Sequence, residues 1–127
     1  MSQIFAVTIG SIAGGLARYF LSGVVLHHGA GKFPYGTLTV NLTGCFIVGV
    51  IAEIAGVRVP TDAVMRLLLI TGFCGALTTF SAFVVETHFL FRNGQPGLGV
   101  LNLVLNLVAG FALFRLGEFL VRFVWPL

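Results

Sequence analysis

Charge is what this chain has least of. Of its 127 residues only 9% are Asp, Glu, Lys or Arg, while 57% are hydrophobic. A soluble domain carries about a quarter charged residues, so a water-facing globular fold and a disordered tail are both excluded. Acids are scarcer still, four against seven Lys and Arg, for a net charge of +3. The basic residues are scattered and form no run, which excludes a nucleic-acid reader or an anionic-lipid patch of the basic-cluster kind. The pI of about 9.4 therefore reflects missing acids rather than a basic face. Cysteine is nearly absent too: Cys45 and Cys74 lie in apolar stretches without a C-x-x-C, and read as buried, inert thiols rather than a disulfide or metal pair. The N-terminus, MSQIFAVTIG, has no basic n-region, and its apolar run continues past Gly14 and Gly15 to Arg18. It reads as a first span, not a signal peptide. No H-E-x-x-H site and no nucleophile–base pair is visible, so enzymatic chemistry has no support.

What remains is hydrocarbon, with a mean hydropathy of +1.06. A bilayer-crossing helix needs about 20 apolar residues, so four spans of ~80–95 residues in all fit the chain. The expectation is an all-α membrane protein, one domain over 1–127, with spans at about 4–26, 36–57, 63–92 and 98–124. Between them, HHGAGKFP precedes Tyr35, RVPTD offers Pro60 as a stop and Thr61 or Asp62 as a cap, and NGQPG makes a turn. Trp125, Tyr19 and Tyr35 suit membrane–water interfaces.

The third span does not read as a uniform helix. Its middle, TGFCGALTTFSAF, gathers Gly72, Gly75, Thr78 and Thr79 near the expected bilayer centre. Two readings stand: close packing through small residues, preferred for Gly72 alone, or a deliberate break whose freed carbonyls are paired, for example by a cation. In the first span Gly10 and Gly14 form G-x-x-x-G, a face for close helix approach, with Arg18 one step further along it.

Polar side chains inside spans are costly and normally face protein or water. Arg18, beyond the middle of its span, either snorkels or serves function. Asn41 shares a face with Thr37, Gly44 and Val48, and Asn102, Asn106 and Gly110 form a similar stripe. Interhelical glue and a polar lining are both open for them. Phe80, Phe83 and then Glu86 or Thr87 follow at helical spacing; Glu86 has an interfacial role or a pairing with Arg92 as its plainer reading. Arg115, Glu118 and Arg122 read as a structural ion cluster.

Arg18, Asn41, Phe80, Phe83, Glu86, Asn102 and Asn106 all fall in the half of their spans away from the N-terminal side. One copy therefore lines half of a route across the membrane, and an inverted second copy supplies the other half. The basic count permits inversion: Arg58, Arg66 and Arg122 on one side stand against Lys32 and Arg92 on the other, a weak orientation signal. An antiparallel, dual-topology homodimer is expected. Amides, hydroxyls, Arg18 and the electropositive edges of aromatic rings favour a small anion.

GGLARY (14–19), GTLTVNLTGCFIVG (36–49) and TGFCGALTTFSAFVVE (71–86) resemble the CrcB/Fluc family of fluoride channels, over essentially the whole chain. That resemblance implies a fluoride-selective channel passively exporting fluoride across the bacterial cytoplasmic membrane, with two pores per antiparallel dimer. It implies pore roles for Asn41, Phe80 and Phe83, and a structural Na+ at the dimer centre held by the backbone carbonyls of Gly75 and Thr78. Arg18 matches a vestibule position, and Thr37, Ser81 and Glu86 match polar positions near the pore; Asn106 extends that polar track. Asn102, Asn106, Phe111 and Val84 depart from residues that relatives carry. The alternative is a small dual-topology proton-coupled exporter of the multidrug type, but such carriers place an acid in the first span, where this chain has only Arg18. A non-transporting subunit of a larger complex is a third class.

Overall fold

A computed structural model describes residues 2–28, 32–58 and 63–126. Apolar runs uninterrupted by Pro become long helices. The first is α1 (Gln3–His28); α2 (Tyr35–Glu53) is extended by a π-helical stretch, Ile54–Arg58. The third rod begins with α3 (Ala63–Arg66), widens into a π-helical stretch over Leu67–Cys74, and reaches α4 (Gly75–Leu77). Thr78 and Thr79 are then extended, with φ/ψ of −85°/158° and −148°/111°, before α5 (Phe80–Arg92) resumes. The fourth rod runs through α6 (Pro96–Val104), a π-helical stretch over Leu105–Ala109, and α7 (Gly110–Val124). Among the described residues, four rods are long and apolar enough to cross a membrane: Gln3–Val25, Tyr35–Gly56, Ala63–Arg92 and Pro96–Val124.

The turn before the fourth span differs from expectation in one respect. Gly94, at φ +70°, bends the chain, and the Gln95 N–H donates to the Leu90 carbonyl at 2.9 Å. Pro96 opens the next helix instead of breaking it. A first-turn N–H has no helical partner to lose, and proline's fixed φ already suits a helix. The RVPTD connector, with Pro60 and the Thr61 or Asp62 cap, lies outside the described residues.

Small residues decide how the rods meet. A Cβ on Gly10 would strike the Leu68 carbonyl and the backbone of Gly72 and Phe73, and one on Gly14 would strike the Phe73 carbonyl. The G-x-x-x-G face of α1 is thus in contact with the third rod of the same chain. The crossing of α2 and α7 works alike: Gly49 abuts the Phe114 carbonyl and Gly117 the Phe46 carbonyl. These approaches place Arg18 beside Thr78 and bring Asn41 and Asn106 together. Elsewhere large apolar side chains face outward, among them Ile4, Phe20, Val108, Phe119 and Phe123, as lipid-facing helices require.

Candidate functional site

The site is assembled where α2, α5 and the fourth rod converge on Thr78 and Thr79. Leaving the helix turns the Thr79 N–H away from the Gly75 carbonyl and toward Asn41, whose Oδ1 accepts it at 2.8 Å. Asn41 Nδ2 reaches back to the Thr79 carbonyl at 3.3 Å and also donates to Asn106 Oδ1 at 2.8 Å. A carboxamide has two N–H donors, so within one chain Asn41 spends both on protein. Asn41 is the clasp that holds the extended segment. Thr79 also caps α5, its Oγ1 accepting from the Ala82 N–H at 3.3 Å and lying 3.3 Å from Ser81 Oγ. Gly44 makes room: a Cβ there would collide with Thr78 Cγ2.

Phe80 and Phe83 follow at once on α5, with ring centroids 5.5 Å apart and planes inclined at 60°. Phe83 is buried, whereas Phe80 is 73% exposed in the single chain. Both rings, with Asn41, Cys45, Thr78, Thr79, Asn106 and Leu107, line a cleft of about 220 Å³. Among the described residues, no ionisable group except the Cys45 thiol borders it. Aromatic ring edges carry the positive part of the quadrupole, and beside the two rings the cleft is lined by amides, hydroxyls, the Cys45 thiol and Leu107.

Arg18 lies on a neighbouring cleft of about 370 Å³ with Gly15, Tyr19, Ser22, Thr37, Val40, Thr79 and Ala82. Its Nη1 makes a long contact of 3.4 Å to the Thr78 carbonyl. Arg18 is thereby carried into the helix interface, as the small-residue face of α1 suggests. Thr37 Oγ1 donates to Glu86 Oε1 at 2.6 Å. Glu86 in turn borders a third cleft, of about 440 Å³, with Lys32, Pro34, Phe89, Leu90, Asn93 and Gln95. Glu86 Oε2 is buried and has no partner among the described residues. Arg92 is not the partner of Glu86: six residues along one helix places two side chains on different faces.

The fourth rod completes the arrangement. Asn106 Nδ2 donates to both the carbonyl and Oδ1 of Asn102 at 3.0 Å, and Asn102 Nδ2 donates to Thr87 Oγ1 at 2.8 Å. Of the residue pair offered by periodicity, Glu86 faces Thr37 and Thr87 faces Asn102. The expected ion cluster is divided. Arg115 pairs with Glu118 at 2.5 Å, while Arg122 reaches Glu53 on α2 at 3.0 Å. Glu53, 4% exposed, escapes sequence reasoning because its partner is 69 residues away. Its signal was an acid inside an otherwise apolar span. Cys45 and Cys74 are both free thiols, Cys74 buried.

Among the described residues, four helical rods long and apolar enough to cross a membrane define a multi-pass, all-helical membrane protein. The chain belongs to the CrcB family: the family described as "CrcB-like protein, Camphor Resistance (CrcB)" matches residues 5–118. It is 41% identical over 123 residues to a protein of Methylobacillus flagellatus named fluoride-specific ion channel FluC, with 96% of each chain covered. A protein of that name from Prosthecochloris aestuarii is 40% identical over 124 residues, covering 98% of this chain and 95% of its own. One from Rhizobium leguminosarum is 38% identical over 122 residues, covering 96% and 98%. These relatives are named as channels, and the family is one of ion channels rather than enzymes.

Proposed function

We propose that this chain is a fluoride-selective channel of the bacterial cytoplasmic membrane, passing fluoride passively outward and so relieving its toxicity. The observation that carries the reading is the cleft edged by Asn41 and the Phe80–Phe83 rings, in a chain whose relatives are named for fluoride. A conducting site must attract an ion without trapping it. Ring edges and neutral dipoles replace hydration without a full positive charge. Thr37, Ser81, Glu86 and Asn106 continue the polar track, and Arg18 draws anions toward its mouth.

The working unit is an antiparallel homodimer with two pores. Extended backbone at membrane depth is tolerated only where protein or water covers it. Gly75, Phe80 and Ser81 beside that backbone are exposed in the single chain, and an inverted second copy covers them and completes the route. The donor set there also fits a structural Na+. The Thr79 N–H is turned from Gly75's carbonyl to Asn41, and among the described residues Thr78's carbonyl has only the long Arg18 contact. Neutral carbonyl oxygens suit a hard cation, and the ion would tie the two copies together at their centre.

Purified protein in liposomes, loaded with fluoride and driven by a valinomycin-set potassium potential, tests the reading with a fluoride electrode. Fast fluoride efflux with little chloride efflux is expected, and silence from well-folded protein refutes it. Phe80→Ile keeps apolar volume but removes the ring edge, and should abolish or cripple flux while the dimer stays folded. Two added Lys in the 58–66 connector should fix one orientation and destroy activity unless an oppositely biased copy is coexpressed.

A further inference from the structure

The Thr37–Glu86 hydrogen bond stands between two clefts. Thr37 borders the one that holds Arg18, and Glu86 borders the larger one, of about 440 Å³. Thr37 Oγ1 answers only Oε1 of the carboxylate, at 2.6 Å. Oε2 is buried and accepts from nothing among the described residues. A buried carboxylate oxygen without a donor needs a proton or a cation. Beside an anion route, its uncancelled charge also repels the ion that must pass.

Few charges surround Glu86. Arg18 lies on the cleft across Thr37, with Nη1 on the Thr78 carbonyl. Arg92, six residues along the same helix, is on a different face. Asn93 and Gln95 line the cleft of Glu86 with neutral amides, which solvate a charge without cancelling it. Among the described residues, Lys32 is the only cation that borders this cleft. Its backbone is fixed by the next residue: Phe33 is 8% exposed, and its ring lies 4.9 Å from that of Tyr35, where α2 begins. The Lys32 side chain is exposed, and its flexible stem leaves the ammonium free to turn into the cleft.

We propose that Lys32 is the counter-charge of Glu86: its ammonium closes on Oε2 across the cleft, and the neutral pair lets fluoride pass the carboxylate. Lys32 acts through Glu86, as a positioning residue, and does not hold the ion. The inference rests on the fluoride-channel reading and adds to it a residue that lies before the second span.

Wild type, Lys32→Gln, Lys32→Arg, Glu86→Gln and the double variant Lys32→Gln/Glu86→Gln are compared in liposomes, with the oligomer checked by size exclusion. Low ionic strength is used, because an exposed charge then acts most strongly. Lys32→Gln should lower fluoride efflux about tenfold, since an uncompensated carboxylate repels an anion beside it. Lys32→Arg should stay within about twofold of wild type, its charge being kept. Glutamine at position 86 keeps an acceptor for Thr37 but carries no charge. In that background Lys32→Gln should change efflux by less than about twofold, the mark of two residues that act as a pair. Wild-type efflux from Lys32→Gln would overturn the pairing, because Glu86 would then need no cation. Equal losses in both backgrounds would also overturn it and make Lys32 an independent attractor of anions. Silence from well-folded Glu86→Gln would overturn it by making the carboxylate itself necessary. Aggregation of Lys32→Gln, with Lys32→Arg well folded, would overturn it in favour of a structural role. These outcomes leave the channel reading standing, whereas a wild-type protein that passes no fluoride would overturn that reading and the pairing with it.

Discussion

Helix α2 meets its neighbours in two different ways along its length. From Thr37 to Gly44 it faces the third rod through side-chain chemistry: Thr37 to Glu86, Asn41 to Thr79, and a glycine gap for Thr78. From Phe46 to Glu53 it faces α7 backbone to backbone, Gly49 on Phe114 and Phe46 on Gly117, closed by the Glu53–Arg122 pair. The second half holds rods together by van der Waals contact, which in a membrane must replace the hydrophobic effect. The first half gives up contact area for directed donors and acceptors. One helix thus supplies a close-packed contact at one end and a hydrogen-bonding polar wall at the other.

The largest effects should come from breaking the packed half. A Cβ at Gly49 or Gly14 meets a backbone carbonyl that cannot swing aside. Gly49→Val and Gly14→Val are each expected to exceed the ~1–3 kcal/mol usual for overpacking and to leave little monodisperse protein on size exclusion. A well-folded, conducting Gly49→Val protein would show that the crossing is looser than its geometry.

Asn41→Leu attacks the polar half where it is most connected. It removes one acceptor and two donors and leaves the Thr79 N–H and carbonyl without their clasp. The rods should still assemble, but fluoride efflux should fall about 100-fold, as loss of two or more part-buried hydrogen bonds implies. Thr37→Val should do less, about three- to tenfold, because one donor to Glu86 is lost; Thr37→Ser should restore flux. Equal effects from Asn41→Leu and Thr37→Val would place the bottleneck at Glu86 rather than at the extended segment.

The parts of this arrangement that sequence exposes are those set by a length or a local rule. Span positions follow from bilayer thickness. The close approach of α1 follows from Gly10 and Gly14, and Gly72 answers it from the opposite rod, within reach of the Gly10 Cα. The cluster of Gly72, Gly75, Thr78 and Thr79 offered packing or a break, and its members divide: Gly72 packs, while Thr78 and Thr79 leave the helix. Partner choice is what sequence conceals. A period of 3.6 puts Asn102 and Asn106 on one face, yet it does not say that Thr87 and Asn41 face them from two other rods. The π-helical stretch at Leu105–Ala109 rotates the following helix by an amount no residue type announces. Pro96 was legible as a breaker and acts as an opener, because its register in the turn decides which.

The smallest effect should come from the ion pair at the end of the packed half. Glu53 is buried while Arg122, its partner at 3.0 Å, keeps 53% of its side chain exposed. Water and headgroups therefore screen the pair, and a half-exposed bridge of this kind contributes little to stability. Arg122→Gln keeps a shorter donor near Glu53 and removes only the charge. Its melting temperature should drop by a few degrees at most, the drop should shrink in high salt, and fluoride efflux should stay at the wild-type rate. The glycine contacts between α2 and α7 hold that crossing without the pair, and no atom of Glu53 or Arg122 borders the clefts around Arg18, Phe80 or Glu86. Lost flux with unchanged stability would join this end of α2 to the ion path and erase the division between its two halves.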